Sequence, residues 1–308
     1  MTPHPINLEQ LDADLEGMSV APQVLPRLQQ MVSDLNTNPD EIRDMIRMDA
    51  ALSSMILRTA NSAFFNPGYH IDSVDDAIMH LGFSDVYQIV SMLAFSDVMA
   101  RPLPAYGLSA GQFWRRSVAC ALAMERLARK YSEDPGAAYT IGLLHGIGMV
   151  FMQKEIDRLA DFSFRATLPK DVAIAVEEKS VFGINHAKIG AEVMKRWGFS
   201  DEVVAPTLCQ FEPSEAGKHE RMTCLISFAK RMIGTIVDDD QAGVNLPGPD
   251  PLLIALLHLT REEYDRVVAL LRKSFKKAQS LVGDKVDKQT KKTGIAANLG
   301  YGTRQIRL

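Results

Sequence analysis

The chain has 308 residues, a net charge of −4, 46% hydrophobic and 23% charged residues. These totals fit one large globular domain or two closely packed ones, and exclude a chain that needs disulfide staples to build a core. Cys120, Cys209 and Cys224 are odd in number and far apart, so they form no CxxC pair and no disulfide framework, and read as buried thiols in a reducing cytosol.

Charge is uneven along the chain. Residues 1–105 carry 5 Arg, no Lys and 14 acids, a balance of −9, whereas 106–283 carry +1 and 284–308 carry +4. The acidic front argues against a nucleic-acid face there. The first residues, MTPHPINLEQLDADLEG, hold no apolar run, so no secretory leader is expected. The longest apolar runs, IGLLHGIGMVFM and LLIALLHL, are shorter than the ~18 residues of a membrane span. The expectation is a cytoplasmic protein with no membrane contact.

Taken in chain order, helical signals dominate. NPDEIRDMIRM opens with Asn38 as an N-cap, Pro39 at the first helical position and Ile42, Met45 and Ile46 at helical spacing. AALSSMILRTANSAFF continues with Leu52, Met55 and Ile56. SVDDAIMHLG is a short helix capped by Ser73 and closed by Gly82, and Ser84 caps the longer SDVYQIVSMLAFSDVMA. Pro102, Pro104 and Gly107 interrupt the pattern and mark a subdomain boundary.

The second part opens with the amphipathic SAGQFWRRSVACALAMERLARKY, with Phe113, Val118, Leu122 and Leu127 inward. PGAAYTIGLLHGIGMVFM follows as a helix, then NHAKIGAEVMKRWG, capped by Asn185 and stopped by Gly198, then KHERMTCLISFAKRMIG. TREEYDRVVALLRKSFKKAQSLVG has a capping box from Thr260 to Glu263 and is expected to end at Gly283. No period-2 strand and no internal repeat is found. The predicted class is all-α, with an N-terminal helical subdomain at 1–105, a second helical subdomain at 106–283, and a basic, flexible tail at 284–308.

These blocks resemble the HDOD family, the HD-related output domains of bacterial signalling proteins. Asp49-Ala50-Ala51-Leu52 resembles its DPaL step, ANSAFF its aNSa.f core, and Ile71, Ser73, Ala77-Ile78 and Leu81-Gly82 its I.s...Ai..LG segment. FWRRS resembles fWrHS, GLLHGIG resembles gLLHDIG, FGINHAKIGAEVMKRWGFS resembles fG.dHaevGa.Ll..WgLP, and LCQFEP resembles i..HHep. The resemblance covers roughly residues 18–240 and implies a degenerate HD-like fold.

In catalytic members of the wider HD superfamily, His and Asp side chains hold metal that activates water against a phosphate ester. By the resemblance, Arg116 stands where the first His would be, Gly146 replaces the Asp of the HD pair, and Gln210-Phe211 replace the later paired histidines. Only His145 and His186 match, as weak metal candidates. Each ligand of a structural zinc site is worth on the order of 3 kcal/mol, so one loss weakens binding about a hundredfold. No catalytic residue, metal or cofactor is therefore expected.

Each remaining site residue has two readings. His145 is a packed core histidine or a remnant ligand, and its flanking glycines fit close helix packing. His186 lines the same cavity or sits exposed in a first helical turn. Arg116, taken as the inward member of the Arg115-Arg116 pair, either pairs internally with Glu177 or Glu178 or joins His145, His186 and Gln210 in an anion site. Asp49 and Asn61 read as helix-capping and loop-tying residues. Met31, Met45, Met48, Met55, Met79, Met92 and Met99 either fill the core or form an adaptable partner groove.

Three functions follow. The leading one is a non-catalytic regulatory protein that binds other signalling proteins through an exposed apolar patch. The second is a nucleotide or cyclic-dinucleotide sensor built on the degenerate pocket. The third is a residual metal-dependent phosphohydrolase. Nucleic-acid binding by the basic tail ranks last.

Overall fold

The computed structural model describes residues 21–34, 36–159, 171–237 and 258–300, with isolated positions 6, 11, 15, 254 and 255, and describes side chains as far as Leu281. Among the described residues every extended element is a helix, and the one β feature is an isolated bridge between Leu103 and Leu108. The class is all-α.

The front part comprises α1 (Ala21–Ser33), α2 (Pro39–Arg47), α3 (Ala50–Ala60), α4 (Val74–Leu81) and α5 (Phe83–Met99). Local chemistry sets these boundaries. Asn38 accepts from the Asp40 amide, Asp49 from the Ala51 and Leu52 amides, and Ser73 from the Asp76 amide, so each side chain satisfies donors that a helix start leaves open. Asn61 accepts from Ile71 N–H and donates to the Leu57 and Ile71 carbonyls, which ties the 61–72 loop to the end of α3. Asp49 and Asn61 therefore do the structural work expected of them. Ser84 does not cap α5. That helix starts at Phe83, two residues before such a cap would set it, after Gly82 at φ +80, where the chain turns 104° between α4 and α5.

A 3-10 turn at Pro104–Tyr106 leads to α6 (Gln112–Tyr131), α7 (Pro135–Leu144) and α8 (Ile147–Arg158). Then come α9 (Asp171–Phe182), α10 (His186–Arg196), α11 (Asp201–Leu208), a second 3-10 segment at Pro213–His219, α12 (Glu220–Ile236) and α13 (Arg261–Gly300). Phe113, Val118, Leu122 and Leu127 face inward on α6. Asn185 caps α10 through the Lys188 amide. Thr260 and Glu263 form the reciprocal capping box at the start of α13.

The core runs without a break across the irregular segment at 100–111. Helix α5 is buried nearly all round, and its buried serines donate to their own helix carbonyls. Tyr87 on α5 shares a 2.6 Å hydrogen bond with Thr140 on α7, and Phe95 packs on Trp197 with ring centroids 5.1 Å apart. Helix α13 closes the seam between α5 and α6 with Tyr264, Val268, Leu271, Phe275 and Ala278.

Two expectations change here. Helix α13 does not stop at Gly283 but continues to Gly300, so the backbone of 284–300 is helical. No proline intervenes, and each of the interior glycines, Gly283 and Gly294, costs only ~1 kcal/mol relative to Ala. The stretch after Pro135 is two helices, not one, broken at His145-Gly146. Counted together, Pro135–Arg158 is long and apolar enough to cross a membrane, although each run counted alone was too short; 83% of its apolar window is buried in the fold, so these side chains already face protein.

Candidate functional site

The break between α7 and α8 places His145 at the C-terminal end of α7, 8% exposed. Its Nδ1 lies 2.8 Å from the Gly142 carbonyl. A carbonyl only accepts, so Nδ1 carries the proton and donates. The carbonyl of His145 itself accepts from Gln210 Nε2 at 2.9 Å.

Gly146 and Gly148 are close-packing positions. A Cβ on Gly148 would stand 1.9 Å from the His186 carbonyl oxygen and 2.8 Å from the Gly190 nitrogen. The missing side chain lets α8 and α10 touch backbone to backbone, and this brings His186 against the start of α8. A Cβ on Gly146 would meet the Phe113 ring at 2.9 Å. The position of the family's aspartate is thus occupied from the other side by a phenyl ring.

His186 is fully buried at the first turn of α10. Its backbone amide donates to Glu178 Oε2 at 2.8 Å, and its Nδ1 sits 2.8 and 3.0 Å from the two carboxylate oxygens. Glu178, also fully buried, accepts a third bond from the Tyr106 hydroxyl at 2.7 Å. Burial first, and then the neighbouring carboxylate, hold the Tyr106 phenol well above its ordinary pKa, so it remains a donor. A buried carboxylate needs such donors around it. His186 Nε2 has no hydrogen-bond partner among the described residues. Its ring edge meets Phe211, centroids 5.3 Å apart at 86°.

The Gln210-Phe211 pair is held by a residue the sequence reading passed over. Lys230 on α12 puts Nζ 2.6 Å from Gln210 Oε1 and 4.8 Å from the Phe211 ring centroid. Gln210 is 3% exposed and also donates to the Thr207 carbonyl at 3.0 Å. Where the family pattern would have two imidazoles, this protein has an amide and a phenyl ring under an ammonium. The signal was legible: Thr223, Ile226, Lys230 and Ile233 follow helical spacing, and Thr223, Ile226 and Ile233 are buried. Glu178 likewise falls on a stripe with Ala175 and Phe182.

Arg116 is not part of this assembly. It is exposed on α6, while Phe113, Ser117, Cys120 and Met124 take the inward arc. Glu178 is not its ion-pair partner, since it is engaged by His186 and Tyr106. An unpaired guanidinium on the buried face would carry a desolvation penalty of several kcal/mol, so solvent is the stable place for it. Of the expected anion set, the structure joins His145 to Gln210 through a backbone carbonyl and leaves Arg116 outside.

The metal that the resemblance to catalytic HD-superfamily members would imply does not fit this residue set. Among the described residues no three His, Cys, Asp or Glu side chains converge on one point. One feature of a metal ligand survives: His186 has Nδ1 on a carboxylate and a free Nε2, the orientation such ligands use. The other matched positions supply a glycine, an amide and a phenyl ring, and Arg116 lies outside.

A family model described as the HDOD domain matches residues 18–213. An uncharacterised protein of Treponema pallidum is 20% identical over 192 residues, covering 62% of this chain and 37% of that protein. The uncharacterised protein YuxH of Bacillus subtilis is 27% identical over 122 residues, covering 40% and 29%. The matches thus span about a third of the length of these relatives. Among solved structures, a candidate phosphohydrolase of Shewanella amazonensis covers 90% of this chain and 97% of its own, at 22% identity and TM-score 0.59. An HDOD domain protein of unknown function from Geobacter sulfurreducens covers 89% and 96%, at 18% identity and TM-score 0.56. A candidate signal transduction protein of Marinobacter aquaeolei covers 92% and 64%, at 22% identity and TM-score 0.57. At these identities the likeness concerns the fold.

Proposed function

Because the chain belongs to the HDOD domain family, we propose that it is a non-catalytic regulatory protein of bacterial signal transduction, acting in the cytoplasm by binding other proteins. The observation that carries this reading is the filling of the former metal region: Lys230, Gln210 and Phe211 contact one another there, and Gly146 offers no donor. A metal ion would have to displace an ammonium that is already hydrogen-bonded. Catalytic zinc normally uses three protein ligands and an open position, and this set supplies fewer.

The surface offers apolar side chains for a partner. Met48, Phe64, Tyr69 and Met79 are 58–88% exposed. They lie on neighbouring elements: Arg47 pairs with Asp75 across α2 and α4, and His80 contacts the Phe65 carbonyl. Met92 and Met99 are buried instead, so only part of the front-half methionine set serves this face. The sensor reading loses its arginine, because Arg116 is exposed while His186 is sealed.

The test is hydrolysis of bis-p-nitrophenyl phosphate by purified protein with Mn2+, Fe2+ or Zn2+, alongside elemental analysis. The expected result is no metal-dependent turnover and substoichiometric metal. Turnover that EDTA abolishes would overturn the proposal. A nucleotide present at 100 times its Kd should raise stability by about 2.7 kcal/mol; such a shift, lost in Arg116→Ala, would favour the sensor instead.

A further inference from the structure

We propose that a groove between α6, α12 and α13 is a docking site for an acidic amphipathic helix of a partner protein. This rests on the protein-binding reading above and adds a place and a partner chemistry. The groove is about 490 Å³, and its floor is apolar, with Leu127, Met232 and Val267. Leu270 stands 52% exposed at its edge. Arg126, Lys130 and Arg266 surround that floor, all exposed. None of the three forms an ion pair among the described residues.

The one acid in the lining offsets only part of this charge. Glu263 is tied into the Thr260 capping box. The Thr260 backbone amide, followed by its hydroxyl, holds the Glu263 carboxyl below its ordinary value, with smaller help from Lys130 and Arg266. Arg129, the fourth cation, is bonded to Glu125 at 2.8 Å. Arg126, Lys130 and Arg266 set against Glu263 therefore leave an excess of two positive charges around a greasy floor.

That combination selects the occupant. A helix laid in a groove reads apolar anchors at i, i+3 or i+4 and i+7. From Glu263 to Leu270 the lining on α13 covers about two turns, ~10 Å at about 1.5 Å per residue. Glutamates flanking such anchors would meet Arg126, Lys130 and Arg266. A nucleic acid fits less well, because the lining holds no aromatic side chain on which a base could stack. Most of the groove also lies beyond residue 213, outside the family match.

The experiment uses fluorescence anisotropy with the full chain and a labelled 15-residue helical peptide, Leu on one face and Glu on the other. Controls are the same peptide with Lys for Glu and a 15-nucleotide single strand. The Leu/Glu peptide should bind at least tenfold more tightly than either control. Affinity should fall at least tenfold in Arg126→Glu/Arg266→Glu and in Leu270→Asp, all surface changes, and stay unchanged in Lys218→Glu, which lies outside the groove. Tighter binding of the oligonucleotide, or indifference to Leu270→Asp, would overturn the proposal in favour of a polyphosphate surface. A dimer in sedimentation that the double reversal dissolves would overturn it in favour of a second copy. No peptide binding in a protein without phosphoesterase activity would sink the groove and leave the regulatory reading standing; metal-dependent turnover would sink that reading alone.

Discussion

At the scale of single residues, what an amino acid can do in this site is decided by what already stands opposite it. Gly146 occupies the aspartate position of the family pattern with a phenyl ring 2.9 Å from where its Cβ would be. Restoring the carboxylate in Gly146→Asp should therefore destabilise the protein by about 2 kcal/mol through overpacking, with no gain in metal content. Chemical denaturation and elemental analysis read both effects; a stable variant with bound metal would show that Phe113 yields. Lys230→Met should remove the hydrogen bond to Gln210 and the contact over Phe211 at a cost of about 1–2 kcal/mol. An unchanged unfolding midpoint would mean the ammonium is not holding the pair. The sequence exposed the replaced positions, because each could be read against a pattern. It did not reveal where Arg116 points, since helical phase alone cannot choose between two adjacent arginines. Nor did it reveal Lys230, whose partners are 19 and 20 positions earlier in the chain.

At the scale of helices, the contact between α8 and α10 is the tightest glycine contact among the described residues. Gly148→Ala would drive a methyl into the His186 carbonyl oxygen, 1.9 Å from the new Cβ. Backbone cannot swing aside as a side chain does, so the expected loss is about 3 kcal/mol or more. A thermal midpoint within a degree of the parent would contradict this packing. Helix starts were legible because caps are local: Asn38, Ser73, Asn185 and Thr260 each bond within their own first turn. Interruptions were less so. The break at His145-Gly146 is fixed by Phe113 and α10, and periodicity within the apolar run carries no trace of either.

At the scale of the whole molecule, three tyrosines report on a shared interior. Burial raises the Tyr87 phenol to about 12 and lifts Tyr139 and Tyr106 well above their ordinary values. The fold favours the neutral phenol. This contribution is complete below the unfolded value near pH ~10 and is lost as pH climbs through about 12. Denaturant unfolding between about pH 9 and 12 should thus show a steep decline, and Tyr87→Phe should remove part of it; a flat profile would mean the phenols reach water. The continuity of this interior has a consequence for how the protein is made. Helix α5 and the face of α6 against it await α13, which follows them in the chain and covers Ile89, Met92 and Leu122 with Ser274, Ala278 and Leu281. At a synthesis rate of roughly 5–20 residues per second, the interval between the end of α5 and Phe275 is on the order of 10–35 s. Throughout it an oily seam faces the cell, so newborn chains are most exposed to chaperones, proteases and each other just before the last long helix emerges.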